Sequence, residues 1–298
     1  MIDFAIFGVT FIGLLVGSIT DIQRREVPDW ISYGMVFAGL GLRFLHSVVT
    51  GEWLYFLWGL LGFGILFGLA YLMFYTGQWG GGDSKLLIAM GALMATFPAF
   101  LNDWFNPFFA GFPFLIAFWI NLLIVGAIYA IFWSIIVGMI HRKEFAKTMK
   151  KKLSGKLMTR IRHIIYAIST ICLVAAFAVQ IIFIRIVLAV AGIFILLTYF
   201  AWVSIKAVEE SCMYKKVLPK ELTEGDWIVK DIVIDGKFIC GPRTLGVEEK
   251  HIRKLKEFYK QDKVQKILIK TGIPFIPSFF VAFIVTCIWG NFVVGMIL

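Results

Sequence analysis

Apolar runs of membrane-spanning length limit this chain more than any other feature. Residues 4–20, 30–49, 53–75, 114–140 and 164–205 are almost uninterrupted hydrophobic sequence, and shorter runs follow at 84–97 and 273–298. About 20 apolar residues cross a bilayer as a helix. Backbone in lipid must satisfy its own hydrogen bonds, which leaves helices as the reading of such runs. The run 164–205 is long enough for two spans, with Arg185 at the turn between them. The first run reads as a span rather than a cleaved signal, because Met1-Ile2-Asp3 offers no basic start and no small-residue cleavage site follows. With 60% hydrophobic residues, mean hydropathy +0.85, 30 Phe and 10 Trp, the chain falls outside soluble classes.

The charges orient these spans. Of 29 Lys and Arg, two lie in residues 22–29, one at Lys85, nine in 141–163 and 15 in 206–270. Only Arg43 and Arg185 lie elsewhere. Positive residues collect on the cytoplasmic side, so the pattern predicts eight spans with both termini outside. The net charge of +10 then reads as contact with anionic headgroups at 141–163, not as nucleic-acid binding. The expected fold is an α-helical polytopic membrane protein of about eight transmembrane helices with a small cytoplasmic α/β domain before the last. Its parts are transmembrane helices 1–5 at 1–140, a basic cytoplasmic loop at 141–163, a helical hairpin at 164–205, the α/β domain at 206–270 and the last helix at 271–298. Within the α/β domain, Asp235-Gly236 between two β-rich runs is a hairpin signal, and 247–259 has helical periodicity. The four cysteines form no C-x-x-C pair and there is no H-E-x-x-H, so no metal site or cofactor is expected.

Two carboxyls stand out. Asp83 follows Gly80-Gly81-Gly82 and precedes an apolar run. Asp favours helix starts, so Asp83 reads as a cap at Ser84 or as a functional acid at the membrane face. A cap does not need three glycines, which instead allow a close approach of backbone. Asp21 closes the first run, at a helix end where the macrodipole disfavours an anion. It reads as an interfacial acid paired with Arg24 or Arg25, or as the partner of Asp83. The topology puts Asp21, Arg24, Arg25 and the loop 76–83 on one face, the cytoplasmic one. Two close carboxyls share a proton, and such a pair can activate water for peptide hydrolysis; which would be base and which acid stays open. Gly80, Gly81 and Gly82 would let a substrate strand lie on the backbone. Lys85 would hold the pair's negative charge, orient the loop or snorkel to the interface. Glycine-flanked loops predict a pair that is apart or mobile without substrate. Pro28 starts the second helix, and Asp29 beside it reads as a helix-start residue.

These residues resemble a known family. Gly80-Gly81-Gly82-Asp83 is similar to the GxGD motif of membrane aspartyl proteases, and Lys85 to a basic residue of its prepilin peptidase branch. Asp21 with Arg24, Arg25, Val27 and Pro28 resembles that branch's first-aspartate segment. Thr20 stands where presenilins and signal peptide peptidases carry Tyr, and the paired CxxC motifs of the bacterial enzymes are missing. Glu224-Gly225-Asp226-Trp227, Gly241 to Gly246 and Gly272-Ile273-Pro274-Phe275-Ile276-Pro277 resemble the C-terminal region of archaeal preflagellin and type IV prepilin peptidases. The resemblance implies a metal-free aspartyl endopeptidase with Asp21 and Asp83 as catalytic pair. It implies partners as well: preflagellin or prepilin-like proteins that lose a short basic leader at the cytoplasmic membrane. Residues 141–205 depart from the shortest such enzymes. A transporter that handles protons or cations on Asp21 and Asp83 is the competing class; acids at both flanks of cytoplasmic loops, without a repeat, weigh against a midplane transport site.

Overall fold

A computed structural model describes every residue except Leu245, Val293, Val294 and 296–298. The end of the last expected span and one residue of the Gly241–Gly246 motif therefore lie outside the described residues. The helices are α1 (Ile2–Arg24), α2 (Asp29–Thr50), α3 (Trp53–Tyr75), α4 (Gly81–Leu93), α5 (Phe100–Phe105), α6 (Phe114–Ile140), α7 (Arg142–Leu153), α8 (Lys156–Ala178), α9 (Ile182–Cys212), α10 (Glu249–Lys260) and α11 (Ile276–Trp289). The strands are β1 (Tyr214–Val217), β2 (Trp227–Ile228), β3 (Ile232–Ile234), β4 (Lys237–Cys240) and β5 (Ile267–Lys270). This is a polytopic helical membrane protein.

The sequence predicts about eight spans. Among the described residues, six helices are long and apolar enough to cross a membrane: α1, α2, α3, α6, α8 and α9. The other two apolar segments form α4, with 13 residues, and α11, with 14. At 1.5 Å per residue α4 is about 20 Å long, short of the roughly 30 Å hydrocarbon core. Both ends have physical causes. Arg43, fully buried, donates from Nε to the Ala92 carbonyl (3.1 Å) and from Nη2 to that of Leu93 (2.8 Å), closing α4. A cation on terminal carbonyls suits the macrodipole. At α11, Gly290 has φ 71, and a Cβ there would lie 2.2 Å from the Phe108 carbonyl oxygen. The Asn291 amide donates to that same oxygen, at 2.7 Å.

The chain forms two compact units: residues 1–130 with 217–298, and residues 131–216. In the first, α4 is the centre. Leu86, Leu87, Ala89, Met90, Ala92 and Leu93 are all buried, as befits a helix apolar on every side. It packs against α2 and α3. At Gly91 and Gly62 the two backbones meet so closely that a Cβ on Gly91 would stand 2.3 Å from the Gly62 carbonyl oxygen; small residues permit such crossings in membranes. Helix α11 lies against α1. The strands of this unit form the antiparallel pair β2-β5 and the hairpin β3-β4. Asp235 (φ 50) and Gly236 (φ 74) make the hairpin turn. Val217, Ile228, Ile252, Leu255, Ile267 and Ile269 form this module's core.

In the second unit α8 and α9 pair along their length, with the Ser169 hydroxyl donating to the Gly192 carbonyl at 2.8 Å. The chain turns at 179–181, where Arg185 donates to the Val179 carbonyl. Residues 141–163, expected as a loop, are helical: α7 and the start of α8 occupy them. Lysine is a good helix former, and Lys152 pairs with Glu210 of α9. Residues 206–212, expected in the α/β domain, continue α9.

Candidate active site

The expected loop 76–83 is shorter than the sequence indicates, because α4 begins at Gly81 and not at Ser84. Gly81 and Gly82 fall in the first turn, where backbone N–H groups lack helical partners anyway. Asp83 sits at the third helical position, and its Oδ2 accepts from the Gly80 amide at 3.1 Å. It is therefore a capping acid, turned back onto the glycine run. The glycines serve the scaffold directly: a Cβ on Gly82 would be 3.4 Å from Val27, in the loop that follows Asp21. A Cβ would just fit there, so only a small residue lets the two aspartate-bearing segments approach this closely.

Asp21 lies in the last turn of α1 and is buried. A carboxylate is costly there unless something compensates, and α11 supplies it. The Ile276 amide donates to Asp21 Oδ2 at 2.9 Å, and the Phe275 amide also bonds this carboxyl. Two orphan N–H groups at the start of α11 thus face an anion, with the helix dipole favouring it. Asp21 is in effect an N-terminal cap delivered from another helix. Its own carbonyl accepts from the amide of Arg25, whose φ of 61 ends α1. The Arg25 guanidinium donates to the Gly272 carbonyl.

The two carboxyls lie within electrostatic reach of each other. Each named oxygen is engaged by a backbone amide, and no hydrogen bond joins the two side chains among the described residues. Tyr129 of α6 stands within electrostatic reach of both Asp21 and Arg25. Lys85 does not turn toward the aspartates: it pairs with Asp29, and its ammonium sits 5.6 Å from the Tyr33 ring centroid. That links the start of α2 to α4. Arg24 is exposed at the end of α1, and Pro28 precedes the first residue of α2. Among the described residues no three His, Cys, Asp or Glu side chains come together.

Several supporting groups are not marked in the sequence. Trp79, just before the glycines, packs on Trp119, Phe275 and Phe279 with ring centroids 5.3–5.7 Å apart. Asn121 of α6 donates to Thr286 Oγ1 and to the Gly290 carbonyl, holding the far end of α11. Arg43 had one signal, a lone arginine in an apolar run.

A helical membrane protein with two carboxyls within electrostatic reach, each bonded by a backbone amide, is the class that fold and site define. Comparison gives it a more particular relation. Residues 8–142, less than half of the chain, match the type IV leader peptidase family. A preflagellin peptidase of Methanococcus voltae is 34% identical over 143 residues, 46% of this chain and 61% of the relative. Another, from Methanocaldococcus jannaschii, is 40% identical over 88 residues, 30% of this chain and 37% of the relative. A third, from Methanococcus maripaludis, is 35% identical over 86 residues, 29% and 37% of the two chains. The match thus spans less than two thirds of each relative. No solved structure matches the chain.

Proposed function

We propose that this protein is a GxGD-type membrane aspartyl endopeptidase that removes the short basic leader from preflagellin or prepilin-like proteins. The observation that carries the reading is that Asp21 and Asp83 lie within electrostatic reach of each other, on segments that approach at Val27 and Gly82, inside the stretch similar to leader peptidases. Two carboxyls that act as such a pair share a proton. The ionised one draws a proton from a water that attacks the scissile carbonyl. The protonated one donates to the carbonyl oxygen as charge develops there. The assignment of base and acid belongs to the coupled pair. The one-sided distribution of Lys and Arg supports a cytoplasmic-membrane location, with the site on the cytoplasmic face.

The basic stretch 141–163 is proposed to lie on anionic headgroups. A groove of about 460 Å³ in the second unit combines apolar Phe145, Met149 and Leu153 with cationic Lys150 and Arg162. This is a surface suited to a phospholipid's phosphate and upper chain.

The test is cleavage of a co-expressed preflagellin, followed by gel shift, with wild type, Asp21→Asn and Asp83→Asn. The expected result is processing by wild type alone, with all three proteins at equal membrane levels. Processing by either variant would refute the pair. A protein that processes no leader but moves protons or cations in vesicles, dependent on the same two residues, would establish the transporter instead.

A further inference from the structure

The α/β module touches both aspartate-bearing segments, through strand β2 and through the residues that directly follow β5. Strands β2 and β5 are antiparallel, with Trp227 opposite Lys270 and Ile228 opposite Ile269. Ile228, Ile267 and Ile269 are buried, so this register is anchored in the module's core. The Trp227 ring lies 3.6 Å from where a Cβ on Gly77 would stand. Gly77 (φ 68) forms the turn that ends α3, its amide donating to the Phe74 carbonyl at 2.9 Å. Three residues later comes Gly80, whose amide holds Asp83. On the facing strand, Lys270 ends β5, and two residues later the Gly272 carbonyl accepts from Arg25. Four residues beyond that, the Ile276 amide holds Asp21.

We infer that the β2–β5 pair is a ruler for the catalytic centre and that Trp227 is its positioning residue for Asp83. The inference rests on the two-aspartate reading above. The physical need is clear from the loop itself. Residues 76–80 contain two glycines and two exposed side chains, Thr76 and Gln78, and glycine-rich backbone is soft. A rigid ring laid against Gly77 limits that softness from the side, while Arg25 ties the same sheet to the end of α1. A displacement of about 1 Å at a reacting group costs on the order of a hundredfold in rate, so lateral support of this kind bears on turnover.

A purely structural Trp227, covering the strand beneath it, makes a different prediction. It would alter the module's stability and leave the loop 76–80 alone. The experiment uses the full-length protein in detergent or liposomes with a purified preflagellin. Trp227→Ala is expected to lower kcat by about tenfold or more, within the range that misplacement implies, with KM changed by less than about twofold. Trp227→Phe should restore most of the loss, since it keeps a ring. Chymotryptic cleavage at Tyr75 and Trp79 should rise in Trp227→Ala, and should rise equally in Trp227→Ala/Asp83→Asn, where no activity is needed to read it. If Trp227→Ala does not accumulate, Trp227→Leu keeps the apolar cover and removes the ring contact, with the same expectations. Wild-type kcat and wild-type protection of the loop in these variants would overturn the inference. A loss that Phe does not restore, accompanied by melting of the α/β module, would also overturn it. Failure of the two-aspartate reading is separate, seen as cleavage by Asp21→Asn or Asp83→Asn alone.

Discussion

Replacing Arg43 with Met should destabilise the protein by about 2–4 kcal/mol. Arg43 is fully buried and donates to four acceptors: the carbonyls of Ala92, Leu93 and Tyr55, and Thr96 Oγ1. Its guanidinium also stands 4.5 Å from the Tyr55 ring centroid. Met fills similar volume but donates nothing. The Tyr55 carbonyl lies within α3 and keeps a helical partner, and Thr96 can rotate. The Ala92 and Leu93 carbonyls end α4 and lose their donor outright. Each buried acceptor so stranded costs about 1–3 kcal/mol, an upper limit near 6 kcal/mol for the two. Against this, the variant no longer desolvates a guanidinium, itself a cost of several kcal/mol. The balance gives the smaller figure, a Tm lower by about 5–15 °C at 2–4 °C per kcal/mol. The assay is heating in detergent with a thiol-reactive dye, since Cys240 and Cys287 are buried until the fold opens. Arg43→Lys, with one compact ammonium for a planar fork, should fall between. The exposed Arg24→Met is the control. A Tm for Arg43→Met within about 2 °C of wild type, less than 1 kcal/mol on this scale, would refute the account of how α4 ends.

Gly91→Ala should cost about 1–3 kcal/mol by overpacking, because the new Cβ meets backbone at Gly62 and no rotamer relieves it; the same thermal assay reads it. Gly82→Ala should leave cleavage within about twofold, since its Cβ reaches ordinary contact with Val27 at 3.4 Å, whereas Gly82→Leu should abolish it by overpacking the contact between the two aspartate segments. Lys85→Met and Asp29→Asn should each change stability by less than about 1 kcal/mol, as exposed pairs do, and the double variant should match the worse single one in a cleavage assay. Lys150→Glu with Arg162→Glu should weaken recovery of the protein with anionic-lipid vesicles while neutral vesicles show no difference, the sign expected of headgroup contact.

The sequence shows the membrane helices and the two acids well, because both are local signals. Hydrophobic runs betray helices without reference to anything distant, and the Asp235-Gly236 turn needs only its own two residues. Where the structure departs from those expectations, the deciding contact is remote in sequence. Nothing near Leu93 says that α4 stops there; the reason is Arg43, some 50 residues earlier. Gly290 is a local stop signal for α11, but the backbone of Phe108 that packs on it lies far away in sequence. Asp21 looks misplaced at a helix end until the amides of Phe275 and Ile276 are seen to face it. The glycine triplet is legible as a place of close approach, but the group that approaches Gly82, Val27, is not named by the residues around it. Lys85 could not be assigned from its neighbours in sequence, because its partner Asp29 lies across the packed helices.

The amide that Asp21 depends on lies far outside the region of recognisable kinship. The matched stretch ends at residue 142, yet the donor is Ile276. Anyone who trims the gene to the matched segment would express both acids and discard the cap of one of them. A minimal version of this protein must therefore carry its last helix, joined or supplied as a separate piece. Reconstituting residues 1–142 with a peptide containing α11 would show whether the two halves of the site find each other without the chain between them.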